Sequence, residues 1–254
     1  MRDKEYISGA SLRNSAVDLH KEFSRKNAAV GKDGRVRLRK GVISSTAPSA
    51  QKLDITEWLP FCAGAYKISP NIEDYVFVPV FLIPSELPNR NGVAFPLKTL
   101  LEFNVEHGRI AYKTLIAKPI HYDHDNQDPT RAYGVIADVF LRRLHGYGNN
   151  MVYKVMALLA IDRSKYPDIA QKVLSNELNS YSMGSWVDHY TCSYCQSVVG
   201  ECDHIQEKNP VCFYELGGRL VFKNMHGAVF FETSIVPEPA WPMALNDNLM
   251  NWNA

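Results

Sequence analysis

The chain has little that marks a membrane-embedded or secreted protein. No apolar run approaches the roughly 18 residues that a membrane-spanning helix needs. Behind Met1-Arg2-Asp3-Lys4-Glu5 there is no apolar signal core, so synthesis in the cytoplasm is expected. Net charge is nearly absent as well. The 28 Lys and Arg against 27 Asp and Glu leave +1 over 254 residues. That balance creates no global field to gather nucleic acid or an anionic membrane, and neither is expected as a partner. Cysteine is scarce, at five residues. In a reducing compartment these point to metal ligation or free thiols over disulfides. No internal repeat and no low-complexity block occurs.

What is present is ordinary for a globular chain: 46% hydrophobic and 22% charged residues. The length suits one large domain, or one domain with a small module. Charge is unevenly placed. Residues 1–50 hold eleven Lys/Arg and five Asp/Glu, a surplus of six, so the remainder carries a net of minus five. The basic stretch from Gly31 to Lys40 and the small, turn-rich Ser44-Ser45-Thr46-Ala47-Pro48-Ser49-Ala50 read as a flexible basic arm and linker over residues 1–52. The folded domain is expected over 53–254.

Within it, Tyr75 to Ile83 is β-rich, with Pro79 suited to an edge or bulge. Asn89-Arg90-Asn91-Gly92 is a turn signal. Strands are expected over Gly108–Pro119, Ala132–Leu141, Met151–Ile161, Tyr181–Tyr190, Leu220–Phe222 and Ala228–Val236. One helix is expected over Ser164–Leu174, where Pro167 and Asp168 suit its first turn. Many strands with few helices define an α+β class, a mixed and mostly antiparallel β-barrel with peripheral helices.

Cys192-Ser193-Tyr194-Cys195 is a C-x2-C pair, and Cys202-Asp203-His204 follows shortly after. Four such ligands match a tetrahedral Cys3His zinc site of structural type, closed to water, within a small knuckle over 190–212. Cys212 could replace one ligand. Cys62 reads as a small buried apolar residue.

Three further segments matter together: His121-Tyr122-Asp123-His124 ahead of Gly134-Val135-Ile136; Ser182-Met183-Gly184-Ser185; and Glu232-Thr233-Ser234-Ile235-Val236-Pro237-Glu238-Pro239-Ala240. Taken singly, each is weak. In this order the chain resembles the prohead (capsid maturation) serine proteases of tailed phages, which share the herpesvirus assemblin fold. The E-x-S-x-V-x-x-P-A segment is the most specific motif, and the resemblance spans roughly residues 75–245. The cysteine cluster looks like that of members from large myophages.

The resemblance implies Ser182 as nucleophile, His124 as base and Glu232 as the group that orients the imidazole, where the assemblins use a second His. His121 competes with His124, whose distance to the Gly134 strand fits the family better. Ser185 competes with Ser182 but points to the opposite strand face under alternation. His189 reads as a surface group or one behind the cysteines. Gly184 should leave room for a substrate backbone.

The implied function is an endopeptidase that trims scaffold and capsid precursor proteins inside the assembling prohead of an infected bacterium, with cleavage of its own arm. Such proteases often cut after an acidic residue. A homo-oligomer is left open. The competing readings are a non-enzymatic zinc-binding virion protein and a zinc hydrolase, the latter disfavoured by a closed ligand set.

Overall fold

The structure, a computed structural model, describes residues 55–144, 152–205 and 214–246, together with the backbone of three short strands at 5–6, 28–30 and 36–38. Most of the expected arm 1–52, and Cys212 within the expected knuckle, lie outside the described residues.

The strands in chain order are β1 (Glu5–Tyr6), β2 (Ala28–Val30), β3 (Val36–Leu38), β4 (Tyr75–Pro84), β5 (Val93–Ala94), β6 (Phe103–Asn104), β7 (Arg109–Ile110), β8 (Pro119–Tyr122), β9 (Gly134–Leu144), β10 (Val152–Asp162), β11 (Tyr181–Val187), β12 (His189–Cys192), β13 (Tyr214–Leu216), β14 (Arg219–Val221), β15 (Lys223–His226) and β16 (Val229–Ile235). The α-helices are α1 (Ile55–Tyr66), α2 (Leu97–Leu101) and α3 (Pro167–Leu174).

Seven strands form one curled, half-barrel sheet in the order β1-β11-β16-β8-β9-β10-β4. Every neighbouring pair is antiparallel except β16 with β8. The side between β11 and β4 is bridged by a short late segment. The N–H of Tyr181 donates to the carbonyl of Ala244, and that of Phe81 donates to Leu245. The protein is thus α+β and mostly sheet, as its sequence pattern indicates. No helix among the described residues is long and apolar enough to cross a membrane.

The core fills the curl. Val80, Leu82, Ile120, Ile136, Val155, Leu159, Tyr181 and Phe230 are buried in one cluster, each large side chain contributing on the order of 1.5–3 kcal/mol by leaving water. A second cluster sits under α1. Ile55, Trp58, Leu59, Cys62, Ala63 and Tyr66 recur at helical spacing and pack on Ala132, Val135, Ala137 and Ala160.

Three strand expectations need correction. Gly108–Pro119 is no single strand: after β7 the chain winds a 3₁₀ turn over Ala111–Leu115, burying Ala111, Tyr112, Thr114 and Leu115. Tyr181–Tyr190 breaks at Asp188 into β11 and β12, and β12 leaves for a second sheet, β12-β15-β5. The expected Leu220–Phe222 strand is β14 over Arg219–Val221. The sequence reading also has one clear helix, where the structure has α1 and the short α2 besides α3. Pro167 and Asp168 do open α3.

Candidate functional site

The site forms where β11, β16 and β8 lie side by side. Ser182 pairs with Ser234, and Ser234 with His121, so these three side chains occupy one row on one sheet face. Glu232, two positions from Ser234, shares that face and is fully buried. Opposite it stands Gly184.

His124 arrives by a tight turn. Asp123 and His124 both have positive φ, 47° and 56°, and the Asp125 N–H donates to the Tyr122 carbonyl at 2.9 Å. Two consecutive non-glycine residues in the left-handed region are uncommon and mark a constrained loop. The Asp123 N–H donates to the Ile235 carbonyl at 2.8 Å, which fastens the turn to β16.

The turn sets the His124 imidazole beside Glu232, with Nδ1 2.7 Å from Oε1. A carboxylate only accepts, so Nδ1 carries the proton and donates, leaving the Nε2 lone pair free. The other carboxylate oxygen accepts from the Ser234 hydroxyl at 2.7 Å, and Ser234 Oγ itself accepts the His124 N–H at 3.2 Å. Ser234 therefore holds both the carboxylate and the backbone of the histidine. The sequence reading gave Ser234 no role. The signal was its spacing of two from Glu232 in a strand, which puts both on one face.

Ser182 is half-buried. It and His124 line one cavity of about 360 Å³. The Asn89–Asn91 turn forms one wall, and residues from Glu238 to Trp241 form another. An exposed ion pair, Arg90 with Glu238 at 3.7 Å, joins the two walls. Solvent screening limits its strength to about 0–1 kcal/mol.

One alternative is placed here and one expectation changes. His121, the competing histidine, does not contact Glu232 by hydrogen bond: it is buried, and neither ring nitrogen has a hydrogen-bond partner. Burial holds its imidazole below the ordinary value, against the opposing field of Glu232. The space over Gly184 is not open to a substrate. A Cβ there would overlap the Phe231 ring and come within 2.9 Å of Glu232 Cγ. Gly184 is needed to seat Phe231 and Glu232. Ser185 is buried and also borders the cavity. His189 stacks on His226 at 4.8 Å and 14°.

The cysteine cluster lies at the end of β12. Ligand atoms of Cys192, Cys195, Cys202 and His204 all fall within 4.8 Å of one another, and all three cysteines are free. The turn is tied by Gln196 N–H to the Cys192 carbonyl at 2.9 Å and by Tyr194 N–H to Cys192 Sγ at 3.4 Å. Hydrogen bonds from Ser197 pull the Cys195 thiol down to about 6, while burial raises Cys192. His204 Nδ1 is buried without a hydrogen-bond partner. A soft, four-donor set with an orphaned imidazole nitrogen fits a metal ion. Cys62 is apart from it, on the buried face of α1, with its thiol pushed up to about 12 by desolvation.

Compared with protein-family models, with curated proteins and with solved structures, the chain matches none of them.

Proposed function

We propose that the protein is a serine endopeptidase in which Ser182 is the nucleophile, His124 the base and Glu232 the orienting carboxylate. The observation that carries this reading is the 2.7 Å contact of His124 Nδ1 with buried Glu232 beside a cavity that Ser182 also lines. A serine hydroxyl needs a base during attack. His124 Nε2 takes the Ser182 proton as Oγ bonds to the scissile carbonyl carbon. The imidazolium then returns that proton to the departing amine as the C–N bond breaks. Water, deprotonated by the same nitrogen, releases the acyl group and restores Ser182. Glu232 keeps the tautomer and stabilises the imidazolium throughout.

The motif order around Ser182, His124 and Glu232 resembles the tailed-phage prohead proteases. On that resemblance the fold is assemblin-like, the substrates are scaffold and capsid precursor proteins, and the place of action is the prohead inside an infected bacterium. The metal proposed for Cys192, Cys195, Cys202 and His204 is a structural Zn²⁺, since four protein donors close a tetrahedral sphere.

The test is cleavage of a co-expressed scaffold protein, read as a mobility shift. Ser182→Ala should stay folded by circular dichroism and abolish the shift. Removal of the nucleophile from such a triad costs on the order of 10⁶ in kcat. Processing at the wild-type rate by folded Ser182→Ala defeats the proposal.

A further inference from the structure

Attack by Ser182 puts negative charge on the scissile carbonyl oxygen, and neither the base nor its carboxylate offsets that charge. A hydrogen-bond donor already aimed at the oxygen is what such a site needs. Among the described residues that line the cavity, those with a side-chain N–H are Asn89, Arg90, Asn91, His124 and Trp241. His124 Nδ1 is committed to Glu232. Trp241 Nε1 donates to the Leu87 carbonyl at 3.0 Å. Arg90 is exposed and paired with Glu238, and Asn91 is exposed. Asn89 remains.

The Asn89 side chain is buried, at 3% exposure, and its amide is oriented. Oδ1 accepts the Asn91 N–H at 2.9 Å and the Val93 N–H at 3.2 Å. Both partners can only donate, so they identify the oxygen end of the amide and turn the NH2 end away from them. Nδ2 makes no hydrogen bond among the described residues, yet it is not sealed from solvent. In a residue this buried, its opening is the cavity it lines. The backbone of the turn is held as firmly. Asn89 N–H donates to the Val93 carbonyl and Gly92 N–H to the Asn89 carbonyl, both at 2.9 Å. Arg90 N–H donates to the Ala240 carbonyl on the opposite wall at 3.0 Å, and Lys223 N–H of β15 to the Gly92 carbonyl at 2.9 Å. A donor fixed in advance costs no reorganisation as charge develops.

We propose that the Asn89 Nδ2–H group donates to the substrate's carbonyl oxygen as that oxygen becomes an oxyanion. The proposal rests on the endopeptidase reading of the cavity. As Ser182 Oγ bonds to the carbonyl carbon, the C=O π pair moves onto oxygen and the Ser182 proton passes to His124 Nε2. Asn89 donates a hydrogen bond to the oxygen anion and keeps its own proton. The pair then returns to re-form C=O, the C–N bond breaks, and the departing amine takes the proton from His124. Because the contact strengthens only as charge appears, it lowers the barrier and adds little to substrate affinity.

The experiment compares the full wild-type chain with Asn89→Asp and Asn89→Ser. Asp keeps an oxygen for the Asn91 and Val93 N–H groups and loses the NH2 donor. Ser keeps a weaker turn acceptor and adds no charge, which separates the lost donor from a new carboxylate. Fluorophosphonate labelling of Ser182 is followed over a range of probe concentrations, giving a limiting rate and a half-saturating concentration, with thermal melts alongside. The phosphoryl oxygen of the probe gains charge on attack as a carbonyl oxygen does. Asn89→Asp should melt near the wild-type Tm. The limiting rate of both variants should fall by about 10²-fold, the order seen on loss of one such donor, with the half-saturating concentration little changed. A wild-type limiting rate in either folded variant overturns the proposal. So does a loss confined to the half-saturating concentration, which marks ground-state binding. If Asn89→Asp fails to fold, Asn89→Ser decides. Folded wild-type chain that takes up no probe sinks the endopeptidase reading itself, whereas wild type and variants that label alike spare that reading and remove Asn89 alone.

Discussion

His124 and Glu232 stand 108 residues apart in the chain and 2.7 Å apart in space. The contact depends on two local devices: the left-handed turn at Asp123 and His124, and a glycine opposite Glu232 that leaves the carboxylate room. Both can be broken separately.

Gly184→Ala should be disruptive. The new Cβ overlaps the Phe231 ring and crowds Glu232 Cγ, in a strand pair that is buried on this side. Overpacking of this kind costs about 1–3 kcal/mol, and the carboxylate must shift away from His124. Thermal melts should show a lowered Tm, and the pH–rate profile of peptide hydrolysis should change shape. A variant with wild-type Tm and profile refutes this view of Gly184.

Ser234→Ala removes the hydroxyl that donates to Glu232 Oε2 and accepts from His124 N–H. Leaving a buried oxygen without its donor costs about 1–3 kcal/mol. We expect a fall in kcat of about tenfold with KM little changed, since Ser234 acts through Glu232 and His124. Ser234→Thr, which keeps the hydroxyl, should recover most of the loss. If Thr behaves as Ala does, packing rather than the hydrogen bond is at issue.

Lys118 tests the buried electrostatics. It is fully buried with Nζ unpaired, and desolvation, with help from Arg109, lowers its pKa to about 7. In the unfolded chain the amine keeps a value of about 10.4. Between about 7 and that value the unfolded chain holds more protons, so the Lys118 contribution to stability rises with pH. Lys118→Met should therefore stabilise most at and below pH 7, and the advantage should shrink as pH climbs toward 10. Urea melts of both proteins across that range check the sign. An advantage that grows with pH contradicts it.

Elemental analysis of purified protein should find one zinc per chain. Cys195→Ser should release it and lower Tm, because binding energy at a structural site is folding energy. Chelation should cut activity too, since β12 follows directly from the Ser182 strand. Absence of metal from folded protein removes this element of the account.

Much of the sheet was legible because β4, β9 and β10 are long, largely apolar runs. Helix α1 carries an equally plain spacing, but Pro60 inside it argues locally against a helix. Burial of Trp58, Leu59 and Cys62 on the sheet decides otherwise. The Ala111–Leu115 turn deceives for a related reason, since a short apolar run does not declare its period. At the site, the residue types and motif order pointed to Ser182, His124 and Glu232. His124 was preferred to His121 for its distance to the Gly134 strand; the two left-handed residues that bring it to Glu232 carry no glycine to announce them. Gly184 was misread because its neighbour Phe231 comes from a distant strand. Nothing local in sequence reveals such a contact.

The most direct test of the central claim is covalent labelling of purified, folded protein with a fluorophosphonate, with the adduct located by peptide mass spectrometry. The account predicts one adduct, on Ser182, lost in His124→Ala and retained in His121→Ala. Folded protein that takes up no probe, or carries it on Ser185, contradicts the account.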